Sequence, residues 1–416
     1  MADDASVIIV GGGLAGLCCA FHLRAAGIRA TVLEASDGVG GRARTDVVEG
    51  FRLDRGFQVL LTAYPELPRV IDLNALRLRP FYPGALIRRR GRFIRLSDPW
   101  RRPLDAVRSL AGRLGTLSDA AKVWKLRRAV LAKDSNDAMA RLPRTTMQRL
   151  SEAGFSSDML EGFFRPFLGG VFLDRQLEAP SRMFDFVFRM FSSGKTALPA
   201  EGMGALAAQI ASRLEPGTVR LNTTVARLND GGVETADGQR LTARAVVVAT
   251  DASAAARLLG RNETPSWRGT TCLYYAATRS PVSEPILILN GDGEGPVNNV
   301  AVLSEVAPTY APAGQSLISV TVIGVEQPVE ALQPLVRRQL GTWFGDDVRG
   351  WRLLRSYVIP HALPMQSSDP SDPSQRPVRI RPGWYVCGDY LENPSINGAL
   401  ASGRHAAEAV LADSRA

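Results

Sequence analysis

Residues 7–45 read VIIVGGGLAGLCCAFHLRAAGIRATVLEASDGVGGRART. Val7 to Val10 is an apolar run, long enough for one buried strand. Gly11, Gly13 and Gly16 then form G-x-G-x-x-G. Leu14 to Ala26 favours a helix, and Gly27 ends it. Thr31 to Leu33 is a second short strand, closed by Glu34, 18 positions after the last glycine. A glycine triplet alone says little. Strand, triplet, helix and a later acid together make the context of a dinucleotide-binding unit.

Each part has a physical task. Gly11 permits the tight turn out of the strand, and Gly13 lets the backbone approach a pyrophosphate. Gly16 lets the helix pack close to the sheet. Leu14 and Ala15 open the helix, whose unpaired N–H groups and partial positive charge face the phosphates. Glu34, followed by Ala35, accepts hydrogen bonds from ribose hydroxyls. An acid there repels a 2′-phosphate, which argues against NADP. The plain alternative is a glycine-rich turn in an unrelated α/β protein.

The following segment, Ala35 to Thr45, carries Gly40-Gly41-Arg42-Ala43-Arg44. Two arginines bring fixed charge toward the same pyrophosphate. The pattern E-x(5)-G-G-R-x-R-T resembles the flavin amine oxidase superfamily, in particular its phytoene desaturase-like and protoporphyrinogen oxidase-like members. That resemblance implies FAD, with Gly41, Arg42 and Arg44 among its contacts.

Composition bounds the rest. A chain of 416 residues is long enough for two domains. Hydrophobic residues at 45% and charged residues at 22% are ordinary for a soluble protein. No apolar run reaches the ~18 residues needed to span a bilayer. Cys18, Cys19, Cys272 and Cys387 have neither disulfide nor metal spacing, and the three histidines are far apart. The acidic start Met1-Ala2-Asp3-Asp4 has no basic region of a secretory signal. A reduced, cytoplasmic flavoprotein is expected.

The net charge of +9 raises nucleic acid as a partner, but no nucleic-acid-binding motif is present. The basic excess is concentrated at 77–102, interleaved with Phe81, Tyr82, Phe93 and Trp100. The spacing predicts a hairpin with Arg88-Arg89-Arg90-Gly91-Arg92 as its solvated turn. The sharper alternative is a basic-aromatic patch that meets an anionic membrane surface peripherally.

Residues 51–68, FRLDRGFQVLLTAYPELP, continue the resemblance, which places Gly56, Phe57 and Gln58 beside the isoalloxazine. Asp54-Arg55-Gly56 also reads as a tight turn. Helices are expected at Leu104 to Ala111, Ser118 to Leu131 and Ser135 to Leu142, with Ser118-Asp119 and Ser135 as N-caps. Phe155 to Val187 is aromatic. Phe163, Phe164, Phe167, Phe172, Phe184, Phe186 and Phe188 are expected either to wall an apolar cavity or to form an ordinary core. Residues 219–248 read as an antiparallel meander, and the resemblance gives Val225 a backbone contact to adenine. Val329 to Phe344 reads as a helix interrupted early by Pro334. Trp351 to Pro360 reads as a strand that ends just before His361, and Ser367 to Pro377 as an exposed loop.

The C-terminal stretch joins Gly388-Asp389 to Pro394-Ser395-Ile396-Asn397-Gly398-Ala399. A strand ending in Gly-Asp sets one carboxylate near a ribityl hydroxyl. A helix starting at Ile396, with Gly398 and Ala399, aims its N–H groups at the flavin O2 region. The expectation is an α/β fold: a Rossmann-type FAD-binding domain of the GR2-like kind, with an inserted α+β substrate domain. The FAD domain is expected at 1–75, 196–260 and 376–416, and the substrate domain at 76–195 and 261–375. No cysteine lies in a covalent-flavin context, so the FAD is expected to be non-covalent.

Amine oxidases of this group carry a lysine that holds water at the flavin. Lys122, Lys125, Lys133 and Lys195 are the only lysines, and none has that context. This favours hydride transfer from a small, largely apolar substrate, with His361 as the candidate catalytic group. Amine or porphyrinogen oxidation with dioxygen, and a non-redox isomerase or assembly factor, stay open.

Overall fold

The computed structural model describes residues 5–105, 114–132, 143–262, 265–366 and 377–414. The helix expected at Ser135 to Leu142, most of Leu104 to Ala111, and the loop at 367–376 lie outside the described residues. Two sheets dominate. In the first, Ala5–Val10 lies between Ala30–Leu33 and Arg240–Val248, parallel to both. Its residues Ile8 and Ile9 are 1% and 0% exposed, as expected of a central parallel strand covered on both faces. Trp384–Val386 adds a further parallel strand beside Arg240–Val248. The helices Leu14–Ala25 and Ile396–Asp413 pack together on this sheet.

The meander expected over 219–248 is shorter than read. Only Val225–Asn229, Gly232–Thr235 and Arg240–Val248 form it. Val219–Arg220 instead runs parallel beside Ala30–Leu33, where the backbone N–H of Glu34 bonds the carbonyl of Arg220.

The second sheet runs in the order Arg352–Pro364, Trp267–Ala277, Ser316–Ile323, Val297–Val302, Leu287–Asn290, Gly84–Arg89, Arg92–Ser97. Its strands alternate cleanly. Leu273, Tyr275, Ile318, Val320 and Val322 bury one face against the helix Val329–Phe344. That helix continues through Pro334, losing the one bond that a residue there would donate to the carbonyl of Glu330. The last strand reaches Pro364, so His361 lies within it and not beyond its end. Antiparallel pairing with Trp267–Ala277, with two register shifts, extends the ladder that far.

The Arg88–Arg92 run is the turn of a hairpin, with Arg90 and Gly91 at φ 49° and 77°. Arg88, Arg89 and Arg90 are tied to the protein. Arg88 donates to the carbonyl of Thr342 at 2.8 Å, and Arg89 pairs with Asp158 at 2.7 Å. The helix Leu117–Leu131 is capped by Thr116, with Asp119 at its third position in a capping box; Ser118 is not the cap. Among the described residues, no helix is long and apolar enough to cross a membrane.

Asp54 is not a turn residue. It is 1% exposed at the end of Phe51–Asp54 and links that strand to Met203 and to Tyr274 of the second sheet. One carboxylate oxygen accepts from Thr45 at 2.6 Å and from the backbone N–H of Met203 at 2.9 Å. The other accepts from Tyr310 at 2.8 Å, and Tyr274 donates to the Asp54 carbonyl at 2.8 Å. Burial outweighs these donors and pushes its carboxyl up to about 6.

Candidate active site

A cavity of ≈ 1890 Å³ runs from the glycine motif, between the two sheets, to the aromatic helices. Its nucleotide end is backbone. Gly11 sits at φ 112°, with its virtual Cβ 2.8 Å from the carbonyl of Ala249, so only glycine fits that turn. Gly13, by contrast, opens on free space: a Cβ there would meet nothing within 4 Å except what binds. Gly16 does not line the cavity. A Cβ on it would lie 2.0 Å from the carbonyl of Gly11, so it sets the helix against the strand. Leu14, Ala15, Glu34, Ala35 and Gly41 line the same end. Glu34 is held by the N–H groups of Gly12 at 2.6 Å and Ser36 at 2.9 Å. Val225 lines the wall beyond it.

Arg42 and Arg44 part company. Arg44 turns back, pairing with Asp37 at 2.8 Å and Ser36 at 3.2 Å, and does not line the cavity. The expectation that it reaches the pyrophosphate is corrected: the short acidic loop after Glu34 captures it locally. Arg42 crosses the cavity wall to Asp389 at 2.6 Å and to the carbonyl of Ala362 at 3.1 Å. Its guanidinium also sits 5.7 Å from the centre of the Trp267 ring.

Gly388 and Asp389 line the cavity, as do Ile396 and Ala399 at the start of the last helix. Ser395 caps that helix by accepting from the N–H of Gly398 at 3.1 Å. Gly398 lies behind the wall, its virtual Cβ 1.9 Å from the carbonyl of Asn393. Gly56, Phe57 and Gln58 line the middle of the cavity, and a Cβ on Gly56 would be 2.7 Å from the Ile359 side chain. Gln58 holds the carbonyl of Arg42 at 2.8 Å.

His361 lines the cavity and stacks on Trp267, ring centres 4.8 Å apart and planes 13° apart. Beyond it lies a chamber walled by Phe163, Phe164, Phe167, Phe172 and Phe188. Phe184 and Phe186 do not reach it. Phe184 is fully buried in the helical core, and Phe186 stacks on Tyr64. Lys195 is the one lysine lining the cavity among the described residues. Reading the sequence alone misses Tyr64, Thr270, Asn299 and Thr321, all of which line it. They come from separate strands and loops and share no spacing.

The donor set fits FAD. The open face of Gly13, the uncapped N-terminus of Leu14–Ala25 and the carboxylates of Glu34 and Asp389 all face one continuous space.

Comparison with known proteins agrees. The chain is 23% identical to the coproporphyrinogen III oxidase of Propionibacterium freudenreichii subsp. freudenreichii over 99% of this chain and 91% of that protein. It is 44% identical to the phytoene dehydrogenase of Streptomyces griseus, but over only 18% of this chain and 17% of that one. The fold matches an oxidoreductase from Methanosarcina mazei with a TM-score of 0.73 at 17% identity, covering 97% of this chain and 99% of that one. The family described as flavin containing amine oxidoreductase matches residues 14–411. The chain therefore belongs to the flavin-containing amine oxidoreductases and is an FAD-dependent oxidoreductase.

Proposed function

We propose that this oxidoreductase dehydrogenates a small, largely apolar molecule. The observation that carries this is the chamber: phenylalanines from two helices on one side and a sheet face on the other, with Lys195 the one lysine on the cavity among the described residues. Two domains follow from the same reading. Residues 1–75, 196–260 and 376–416 hold FAD, and 76–195 with 261–375 hold the substrate.

FAD, when bound, supplies an acceptor for a hydride from the substrate. The chain's own residues do the rest. The N–H groups at Leu14 and Ala15 meet the pyrophosphate, Glu34 takes the adenosine ribose, and Val225 flanks the adenine. Asp389, oriented by Arg42, accepts from the ribityl chain. Gly56 to Gln58 flank the isoalloxazine, and the N-terminus of Ile396–Asp413 carries partial positive charge toward its pyrimidine edge. The aromatic wall excludes water, and stacked His361 positions the substrate at the open face. The cofactor is held without a covalent bond. The four cysteines are all buried elsewhere in the core.

A second reading has its own support. Arg101, Arg102, Arg127 and Lys195 line the outer end of the cavity. Such a mouth suits a substrate with an apolar body and carboxylates, such as a porphyrinogen, and the relative matched over nearly the whole chain is named for that class. Anaerobic bleaching of the flavin separates the readings. Bleaching by polyene precursors alone supports dehydrogenation of an apolar substrate, and bleaching by porphyrinogens supports the second. Bleaching by amines alone would overturn both.

Trp100 lines the cavity at 38% exposure, and Leu104, Leu117 and Trp124 on the neighbouring segments are 79%, 74% and 52% exposed. With the neighbouring arginines they suit peripheral contact with an anionic lipid surface, from which an apolar substrate enters.

A further inference from the structure

One wall of the chamber is a face of the second sheet, and it is not uniformly apolar. Crossing from the strand that touches Gly56, the lining residues are Ile359, then Thr270, then Thr321, then Asn299, and only then Leu287 and Leu289. Thr270 lies opposite Ile359 in the ladder, and Asn299 opposite Thr321. The three polar residues are 6%, 4% and 3% exposed.

Their hydrogen bonds leave defined capacity over. Asn298 Nδ2 donates to Asn299 Oδ1 at 3.0 Å and to the carbonyl of Pro166 at 3.0 Å. This fixes the Asn299 amide, whose Nδ2 donates to Thr321 Oγ1 at 3.2 Å. The Thr321 oxygen is thereby an acceptor, so its own proton is available to donate. Asn299 Nδ2 keeps its second hydrogen. Thr270 Oγ1 donates to the carbonyl of Val322 at 2.9 Å and keeps its lone pairs. The helix Arg165–Phe172 closes on this group at Gly170, where a Cβ would lie 3.0 Å from Asn298 Nδ2 and 3.1 Å from Asn299 Oδ1. The arginines of the adjoining segments are committed elsewhere: Arg268 to Asp174 at 2.9 Å, Arg175 to the carbonyl of Pro296 at 2.8 Å. The row is polar but uncharged.

Buried donors with unused capacity are costly unless a ligand meets them. We propose that Thr270, Asn299 and Thr321 form a subsite for one neutral oxygen group of the substrate, a hydroxyl or carbonyl. Its place beside Ile359 puts that oxygen within about two strand spacings, ~10 Å, of the strand flanking the flavin segment. A carboxylate is rejected here, because neutral donors do not repay the burial of its charge. The subsite thus sorts oxygenated apolar molecules from plain hydrocarbons. It rests on the reading of the chamber as the substrate site.

The test titrates the holoenzyme with 1-dodecanol, dodecane and dodecanoate, each carried by cyclodextrin, and follows the visible flavin band. Dodecanol is expected to bind roughly three- to tenfold more tightly than dodecane. Thr321→Val should erase that preference and Thr321→Ser should restore it, with FAD content unchanged. Thr270→Val serves as the second variant if Thr321→Val does not fold. Equal binding of dodecanol and dodecane overturns the subsite, as does a preference that survives both valine variants, or tighter binding of dodecanoate that Thr321→Val weakens. If no probe disturbs the flavin band, the chamber reading itself fails and the subsite falls with it.

Discussion

The two ends of the cavity are built from different materials. At the nucleotide end the contacts are backbone: glycine turns, a bare helix N-terminus, and Glu34 held by two N–H groups. At the chamber end they are side chains presented by an aromatic helix pair and strands of the second sheet. The first end depends on chain conformation over a short stretch. The second depends on which distant strands pair. A backbone site tolerates little substitution, because Gly11 and Gly16 are fixed by hard contact and Gly13 must stay open to what binds. A side-chain site can be re-lined while the fold stands, so the chamber is where members of such a family can diverge in substrate.

The largest effect should fall on the nucleotide end. Gly16→Val puts a side chain where the Gly11 carbonyl already lies. It should yield no FAD-loaded protein, read as absence of the 450-nm band (about 450 nm being the flavin's own absorption) in purified material. A yellow, folded Gly16→Val protein would break the contrast at its root.

Next comes Asp54, buried behind the cavity and bonded to Thr45, Met203 and Tyr310. Asp54→Ala leaves the hydroxyls of Thr45 and Tyr310 and the Met203 N–H without their acceptor. It should cost about 3–5 kcal/mol in denaturant unfolding. The carboxyl's raised value, about 6 against 3.8, has a definite sign. The native state holds the proton more tightly, so this contribution to stability is fully present below about pH 4. It is lost as pH rises through 6, by about 3 kcal/mol in all. Asp54→Asn should flatten that segment of the stability profile relative to the parent. Parallel profiles from pH 4 to 7 would show that Asp54 does not titrate there.

Asp389→Ala should follow, lowering FAD affinity about ten- to a hundredfold in equilibrium dialysis through loss of a charge-assisted hydrogen bond. In protein that remains folded, Asp54→Ala should lower it less. Equal retention by the parent and Asp389→Ala would remove Asp389 from the cofactor site. His361→Ala should slow flavin reduction while leaving FAD content unchanged, since His361 stacks on Trp267 at the open side. Loss of FAD in that variant would move His361 to the nucleotide side of the comparison. Replacing Trp100 and Trp124 with serine should have the smallest effect, a few-fold loss of sedimentation with anionic vesicles and none in solution activity. Vesicle binding that is unchanged would place the lipid contact elsewhere or nowhere.

The same contrast explains what the sequence reveals. The glycine motif is legible because its function is its local conformation, written in consecutive residues. Gly388-Asp389 is legible for the same reason, as a strand end followed by a capped helix. Arg44 is misread, because nothing in the motif says that Asp37 will capture it. Asp54 reads as a turn because its partners, Met203, Tyr274 and Tyr310, stand 149 to 256 residues away. Thr270, Asn299 and Thr321 are invisible for the same reason: only the order of strands in the sheet brings them into one row.

The first sheet carries a consequence for the birth of the protein. Ala5–Val10 is made well before its neighbour Arg240–Val248, and Trp384–Val386 joins the row later still. A ribosome adding about 5–20 residues per second leaves the opening strand without that neighbour for roughly 12–50 s. During that wait Val7 to Val10 is a bare apolar edge on a nascent chain, a target for chaperones and for aggregation alike.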